Sequence, residues 1–157
     1  MVHFYQYIAA MEETEVESDI CPFCGFEKSE IIDSEELAVT VKDKSPVTPL
    51  HSLIIPKRHV SSYFDLDKSE VSACNKLLQR QKEIILKEDP DVTGFNIGVN
   101  DGNTAGQIVM HCHIHLIPRR KGDMDDPRGG VRGVIPSMQK VVEQKKSHES
   151  AEKNDDK

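Results

Sequence analysis

The stretch Gln107–Arg120 carries three histidines, His111, His113 and His115, at alternate positions, with Cys112, Ile114 and Leu116 interleaved. Near neutral pH an uncharged imidazole serves as a nucleophile, a general acid or base, or a metal ligand. Successive side chains of a β-strand point to opposite faces, so this spacing predicts a strand with every imidazole on one face and the apolar residues on the other. A fold gains little from imidazoles set side by side, whereas a reaction centre gains a great deal. A catalytic metal held by the three rings is one use of the pattern. Two points stand against it. No acidic residue on the same strand offers outer-shell support, and a nearby C-x-x-C would be left without partners.

That motif is Cys21-Pro22-Phe23-Cys24. It reads as a redox dithiol, as half of a zinc site, or as two buried thiols. The redox reading wants a βαβ context, which the following sequence does not supply. A structural zinc takes four ligands, commonly two cysteines and two histidines. His59, at the exit of an expected strand, and His111, the first of the triplet, complete such a set and would tie the N-terminal knuckle to two central strands. Another candidate is Asn100-Asp101-Gly102, followed by Ala105-Gly106-Gln107. By composition it is a turn, yet it brings the amides of Asn100 and Gln107 and backbone N–H donors next to the imidazoles, a set suited to phosphate or an oxyanion. The Arg128-Gly129-Gly130-Val131-Arg132-Gly133 run is either a further phosphate contact or a plain loop.

The elements that must position these groups follow from pattern. Ile31-Ile32 and Leu37–Val41 read as short strands, and Lys42–Leu50, with two prolines, as a turn segment. His51–Pro56 reads as a buried strand with Lys57-Arg58-His59 as its polar exit. Asp67-Lys68-Ser69-Glu70 has the form of a capping box. Behind it Val71, Cys74, Leu77, Leu78, Ile84, Ile85 and Leu86 recur at helical spacing until Asp89-Pro90. Gly94–Asn100 alternates as a strand before the histidine strand. The fold class expected is α+β, with an antiparallel sheet of about five strands and one long helix. The expected division is an N-terminal arm over 1–19, a domain over 20–138 and a flexible charged tail over 139–157.

Bulk properties narrow the partners. The 157 residues suffice for one domain with a sizeable core. A net charge of −7 and a pI near 5.5 disfavour nucleic acid. No apolar run has the length of a membrane span. Residues 1–19 have neither the basic start nor the apolar core of a secretory signal, so a cytoplasmic location, with reduced thiols, is expected.

The run His111-Cys112-His113-Ile114-His115-Leu116-Ile117 resembles the signature of the histidine triad (HIT) family. The resemblance continues upstream through Ala105-Gly106-Gln107, Asn96 and Asn100, and through Ser45–His59 (SPVTPLHSLIIPKRH). It implies a homodimer whose sheets join into one, a purine nucleotide substrate, and hydrolysis at the α-phosphate of dinucleoside polyphosphates or nucleoside monophosphate conjugates. Carried over by position, His113 is the nucleophile that forms a nucleotidyl-histidine. The backbone carbonyl of His111 orients it, and His115 contacts the phosphate or the leaving group. Asn100 lies on the phosphate side, His51 lines the site, and Asp43 falls where ribose hydroxyls are bound. Zinc-bearing relatives imply a structural zinc on Cys21, Cys24, His59 and His111. Position 108 is Ile where many members carry Ser or Thr, and Lys44 replaces an apolar residue of the phosphoramidase branch. Nucleotidyl transfer, which shares the first half-reaction, and non-catalytic nucleotide binding are the alternative readings.

Overall fold

The structure, a computed structural model, describes residues 21–139. The arm expected over 1–19 and all but Gln139 of the tail expected over 139–157 lie outside the described residues. The chain divides into two compact units, Met1–Lys121 and Gly122–Lys157.

The first unit holds the sheet. Its strands are β1 (Ile31–Ser34), β2 (Ala38–Lys42), β3 (Ser52–Pro56), β4 (Val92–Gly98) and β5 (Ile114–Arg120). All neighbours are antiparallel, in the order β1-β2-β3-β5-β4. The one long helix among the described residues, α1 (Lys68–Glu88), starts where its sequence says it must. Asp67 Oδ1 accepts from the N–H groups of Ser69 and Glu70 at 2.8 Å each, and Glu70 Oε2 accepts from Asp67 N–H at 2.9 Å. These bonds satisfy donors that the first helical turn otherwise leaves open. The helix buries a narrow stripe, Glu70, Ala73, Cys74, Leu77, Gln81 and Ile85. Ile84 and Leu86, read from the sequence as part of that face, are exposed, because one sheet face covers only one side of the cylinder.

Every position from Ala38 to Val41 and from Ser52 to Pro56 is buried, which explains why these strands read as continuous apolar runs. On one face Ala38, Ile54, Ile114 and Leu116 pack with α1. On the other Val39, Val41, Leu53 and Ile55 pack with Phe23 and Phe26 of the knuckle region and with Ile31 of β1. That second face also carries the imidazoles.

The histidine strand is shorter than expected. β5 begins at Ile114, so only His115 lies within it, and β3 pairs with it solely through Ser52↔Leu116, Leu53↔His115 and Ile54↔Ile114. Pro56 has no N–H with which to continue the ladder. Upstream, Cys112 N–H instead donates to Val60 O at 2.6 Å. His111 and His113 therefore sit on an extended approach to the strand. In the second unit the described residues form 3₁₀ turns at Gly130–Val134 and Pro136–Met138.

Candidate active site and metal centre

The rings line up along the face opposite α1. Ring centroids of His59 and His111 are 5.0 Å apart, those of His113 and His115 5.1 Å, and those of His115 and His51 5.1 Å. Phe23 fills the gap between His111 and His113, at 6.0 Å and 5.2 Å.

Hydrogen bonds assign a tautomer to each ring of the triplet. His113 Nδ1 lies 2.8 Å from His111 O. A carbonyl can only accept, so Nδ1 carries the proton and Nε2 keeps its lone pair. His111 Nε2 faces Pro56 O at 2.8 Å and must donate. Its Nδ1 lone pair then points at Cys21 Sγ, 3.4 Å away, and Cys24 Sγ, 3.5 Å away. At the other end Val47 N–H donates to His51 Nδ1 at 3.2 Å. His51 therefore holds its proton on Nε2 and donates it to His115 Nδ1 at 3.0 Å. His115 in turn carries its proton on Nε2.

Burial pushes His51 and His115 below the ordinary histidine range; Asp43 opposes the shift in both without cancelling it. Both rings are thus neutral donors at pH 7. Asp43 Oδ2 stands 3.5 Å from His51 Nδ1 and 3.9 Å from His115 Nδ1, while its Oδ1 accepts from Ser45 N–H at 2.7 Å. A cavity of about 400 Å³ opens beside Asp43, lined by Phe26, Ile32 and Val41 and rimmed by Glu30 and Lys44. Lys44 Nζ pairs with Glu30 Oε1 at 3.0 Å across that rim.

His51 owes its place to an unusual turn. Leu50 adopts φ 68°, a left-handed conformation that a branched residue takes only when its surroundings impose it. Two bonds bolt this turn to β5: Thr48 Oγ1 donates to Pro118 O at 2.6 Å, and Arg120 Nη2 to Pro49 O at 3.3 Å.

Cys21, Cys24, His59 and His111 form one group whose ligand atoms all lie within 4.8 Å of one another. Cys24 Sγ and His59 Nδ1 are 3.3 Å apart. The sulfur–nitrogen separations in this group match the edges of a zinc tetrahedron, about 3.3–3.8 Å for bonds of about 2.0–2.3 Å. The His111 Nε2–H bond to Pro56 O is the outer-shell support that fixes a ligating imidazole. The donor set fits zinc. The two other cysteines are different. Burial raises the thiols of Cys74 and Cys112 to about 11 and about 12, so they are inert core residues.

Not every candidate joins the row. The Gln107 amide is spent within its loop, accepting from Gly102 N–H at 2.8 Å and donating to Ser61 O and Val109 O at 2.8 and 3.1 Å. Asp101 Oδ2 accepts from Ser62 Oγ and Tyr63 N–H, at 2.9 and 2.7 Å. This turn therefore organises the loop beside the triplet, and Asn100, Asp101 and Gly102 are all partly buried there. In the second unit Arg128 pairs with Asp126 and Arg132 Nε donates to Met138 O. Phe23 is the site residue that sequence reasoning missed as such. Its only signal was its place between the two cysteines.

Comparison with known proteins agrees with this geometry. A bis(5'-adenosyl)-triphosphatase of Dictyostelium discoideum is 37% identical over 99 residues, 63% of this chain and 66% of that protein. An adenylylsulfatase of Arabidopsis thaliana is 33% identical over 118 residues, 72% of this chain and 58% of that protein. The chain thus spans about three fifths to two thirds of these relatives' lengths. A solved zinc-bound histidine triad family protein from Mycobacterium smegmatis superposes with a TM-score of 0.55 at 30% identity, covering 69% of this chain and 82% of that one. The HIT domain model itself matches residues 26–122, from the knuckle's edge through all of β5, and with more than half of its length so matched the chain belongs to the HIT domain family.

Proposed function

We propose that the protein hydrolyses a phosphoric anhydride or related bond at the α-phosphate of a dinucleoside polyphosphate or nucleoside monophosphate conjugate, through a nucleotidyl-histidine. The observation that carries this reading is the His113 ring, whose Nδ1 proton is held by His111 O at 2.8 Å and whose Nε2 is thereby left nucleophilic. In the first displacement Nε2 forms a bond to phosphorus, and the leaving group departs with the electron pair of the broken bond. Water then attacks phosphorus and releases the nucleotide. His115, a neutral donor through Nε2–H, stabilises charge growing on the leaving group or a non-bridging oxygen. Removing one such donor costs about 10²–10³ in rate in well-studied cases.

The cavity beside Asp43 suits a purine nucleoside: apolar walls for the base, and a carboxylate for ribose hydroxyls. Asn100 stands on the phosphate side. Gln107 acts at one remove, by shaping the loop that ends at the triplet. The zinc is structural, held by Cys21, Cys24, His59 and His111, and it supplies cross-linking of the knuckle to the sheet. Four cysteines that form no disulfide among the described residues suit the cytoplasm. Homodimerisation is supported by β4, an edge strand whose outer backbone groups can pair with a second copy.

The test is incubation with radiolabelled diadenosine triphosphate, an adenosine phosphoramidate and a nucleotide sugar in parallel, with acid-labile label on protein measured after quenching. The expected result is a label that disappears in His113→Ala while nucleotide binding persists. Turnover by His113→Ala near the wild-type rate would overturn the assignment. Label passing to a competing acceptor in preference to water would identify a transferase.

A further inference from the structure

We propose that Phe23, in the middle of the C-x-x-C knuckle, is a positioning residue for His113, so that the knuckle holds the nucleophile as well as the N-terminal segment. The proposal rests on the nucleotidyl-histidine reading above.

Among the described residues, one hydrogen bond restrains His113, at Nδ1. A single bond leaves the ring free to rock about its outer torsion, which has broad minima for an sp³–sp² bond. Two rings oppose that motion. His115 stands at 5.1 Å with an interplanar angle of 71°, and Phe23 at 5.2 Å with 74°. Both contacts are edge-to-face, the geometry aromatic pairs prefer.

Phe23 is itself held firmly. Its backbone lies inside a turn closed by Cys24 N–H donating to Cys21 O at 3.0 Å. Its ring stacks on Phe26 at 5.6 Å and 21°, and packs on the cluster of Val39, Val41, Leu53 and Ile55. It also lies 6.0 Å from the ring of His111, the residue whose backbone carbonyl restrains His113.

The chemistry adds a second reason for an aromatic residue here. When Nε2 bonds to phosphorus the P–O bond to the leaving group breaks and its pair leaves with the oxygen. Nδ1 keeps its proton, so the His113 ring becomes an imidazolium. A cation over the face of an aromatic ring and within about 6 Å of its centroid is attracted to it, and we take the contact at 5.2 Å and 74° as the edge of His113 meeting the Phe23 face. The contact therefore strengthens as the intermediate forms.

The experiment is rapid-quench measurement of protein labelling by radiolabelled diadenosine triphosphate, with AMP affinity and zinc content measured on the same proteins. Phe23→Leu is expected to slow labelling at saturating substrate by about 3- to 30-fold, with AMP affinity and zinc content unchanged. Phe23→Tyr is expected to restore the rate. Phe23→Met, read the same way, keeps the knuckle filled where Leu loosens it. Labelling of Leu and Met variants at the wild-type rate would overturn the proposal. So would a loss confined to AMP affinity, or a failure of Tyr to rescue. Absence of label on the wild-type protein would instead sink the nucleotidyl-histidine reading.

Discussion

Replacing His51 by Leu should slow the first displacement through a ring that never touches phosphorus. His51 Nε2–H occupies His115 Nδ1 at 3.0 Å and thereby keeps the His115 proton on Nε2. With that donor gone, Nδ1 is open to protonation, and the Asp43 carboxylate waits 3.9 Å away. A hydrogen bond to a charged partner contributes about 1.5–3 kcal/mol. Granted to the Nδ1–H form, that preference shrinks the population with Nε2–H by about 10- to 150-fold, since each 1.4 kcal/mol is tenfold. The labelling rate at saturating substrate should fall by the same factor.

The reasoning makes a sharper demand on the double variant. Asp43→Asn removes the charge that rewards the wrong tautomer, so His51→Leu/Asp43→Asn should label faster at saturation than His51→Leu alone, even if ribose binding weakens. Rapid-quench labelling of the wild type, both single variants and the double variant supplies the full cycle. Losses that simply multiply would refute the tautomer argument, because they would mean that Asp43 and His51 act independently.

Other expectations test the frame around the site. Cys21→Ser should abolish stoichiometric zinc, read by a colorimetric chelator assay, and lower Tm; a protein that keeps its zinc would exclude the four-residue group. His51 and His115 have folded-state pKa values below the ordinary histidine value, so the unfolded chain binds protons first as pH falls through that range. Urea stability should accordingly drop between about pH 7 and 5.5, and His51→Leu should flatten part of that slope. Arg58→Met strips a bidentate partner, at 2.7 Å through both Nε and Nη2, from Glu70, whose side chain is only 4% exposed. Arg58 is half exposed, so the cost is discounted to about 1–2 kcal/mol, or about 3–10 °C in Tm by differential scanning calorimetry. The Arg58 hydrogen bond also holds Glu70 below the usual carboxylate range. The stability it lends is present above that range and is lost as pH falls through it, a limb that the variant should lack.

What the sequence revealed divides along a physical line. Local rules were readable: the capping box from Asp67 to Glu70 spans three residues and needs nothing beyond its own turn. The buried strands β2 and β3 were readable as well, since burial on both faces leaves an uninterrupted apolar run. The meeting of Cys21, Cys24, His59 and His111 was readable because ligand chemistry restricts the choice to cysteine and histidine, although the four come from three separate segments. The overextended histidine strand shows where a local rule fails. Alternation in Gln107–Leu116 says strand throughout, but a ladder needs a partner with an N–H, and the partner here is Pro56, fifty-one or more positions away in sequence. The same holds for Phe23 and for Arg80, which joins α1 to β1 through Asp33 at 2.6 Å and Glu35 at 2.7 Å. Neither residue has a type or spacing that announces its partner, and both contacts exist only once the chain has closed on itself.

The triplet's logic survives the loss of its strand. Alternation was expected to place the rings on one face by pleat alone. Instead the Pro56 carbonyl takes the His111 N–H, the His111 carbonyl takes that of His113, and β5 proper starts at the next residue. The interruption is what frees the His111 carbonyl to turn toward a side chain, a duty a carbonyl engaged in a regular ladder is not available for. A proline-ended β3 thus ends its pairing with β5 just before His113, the ring proposed above as the nucleophile. Pro56→Val, which restores an N–H at that position, should therefore lower the labelling rate of His113 more than it changes AMP affinity.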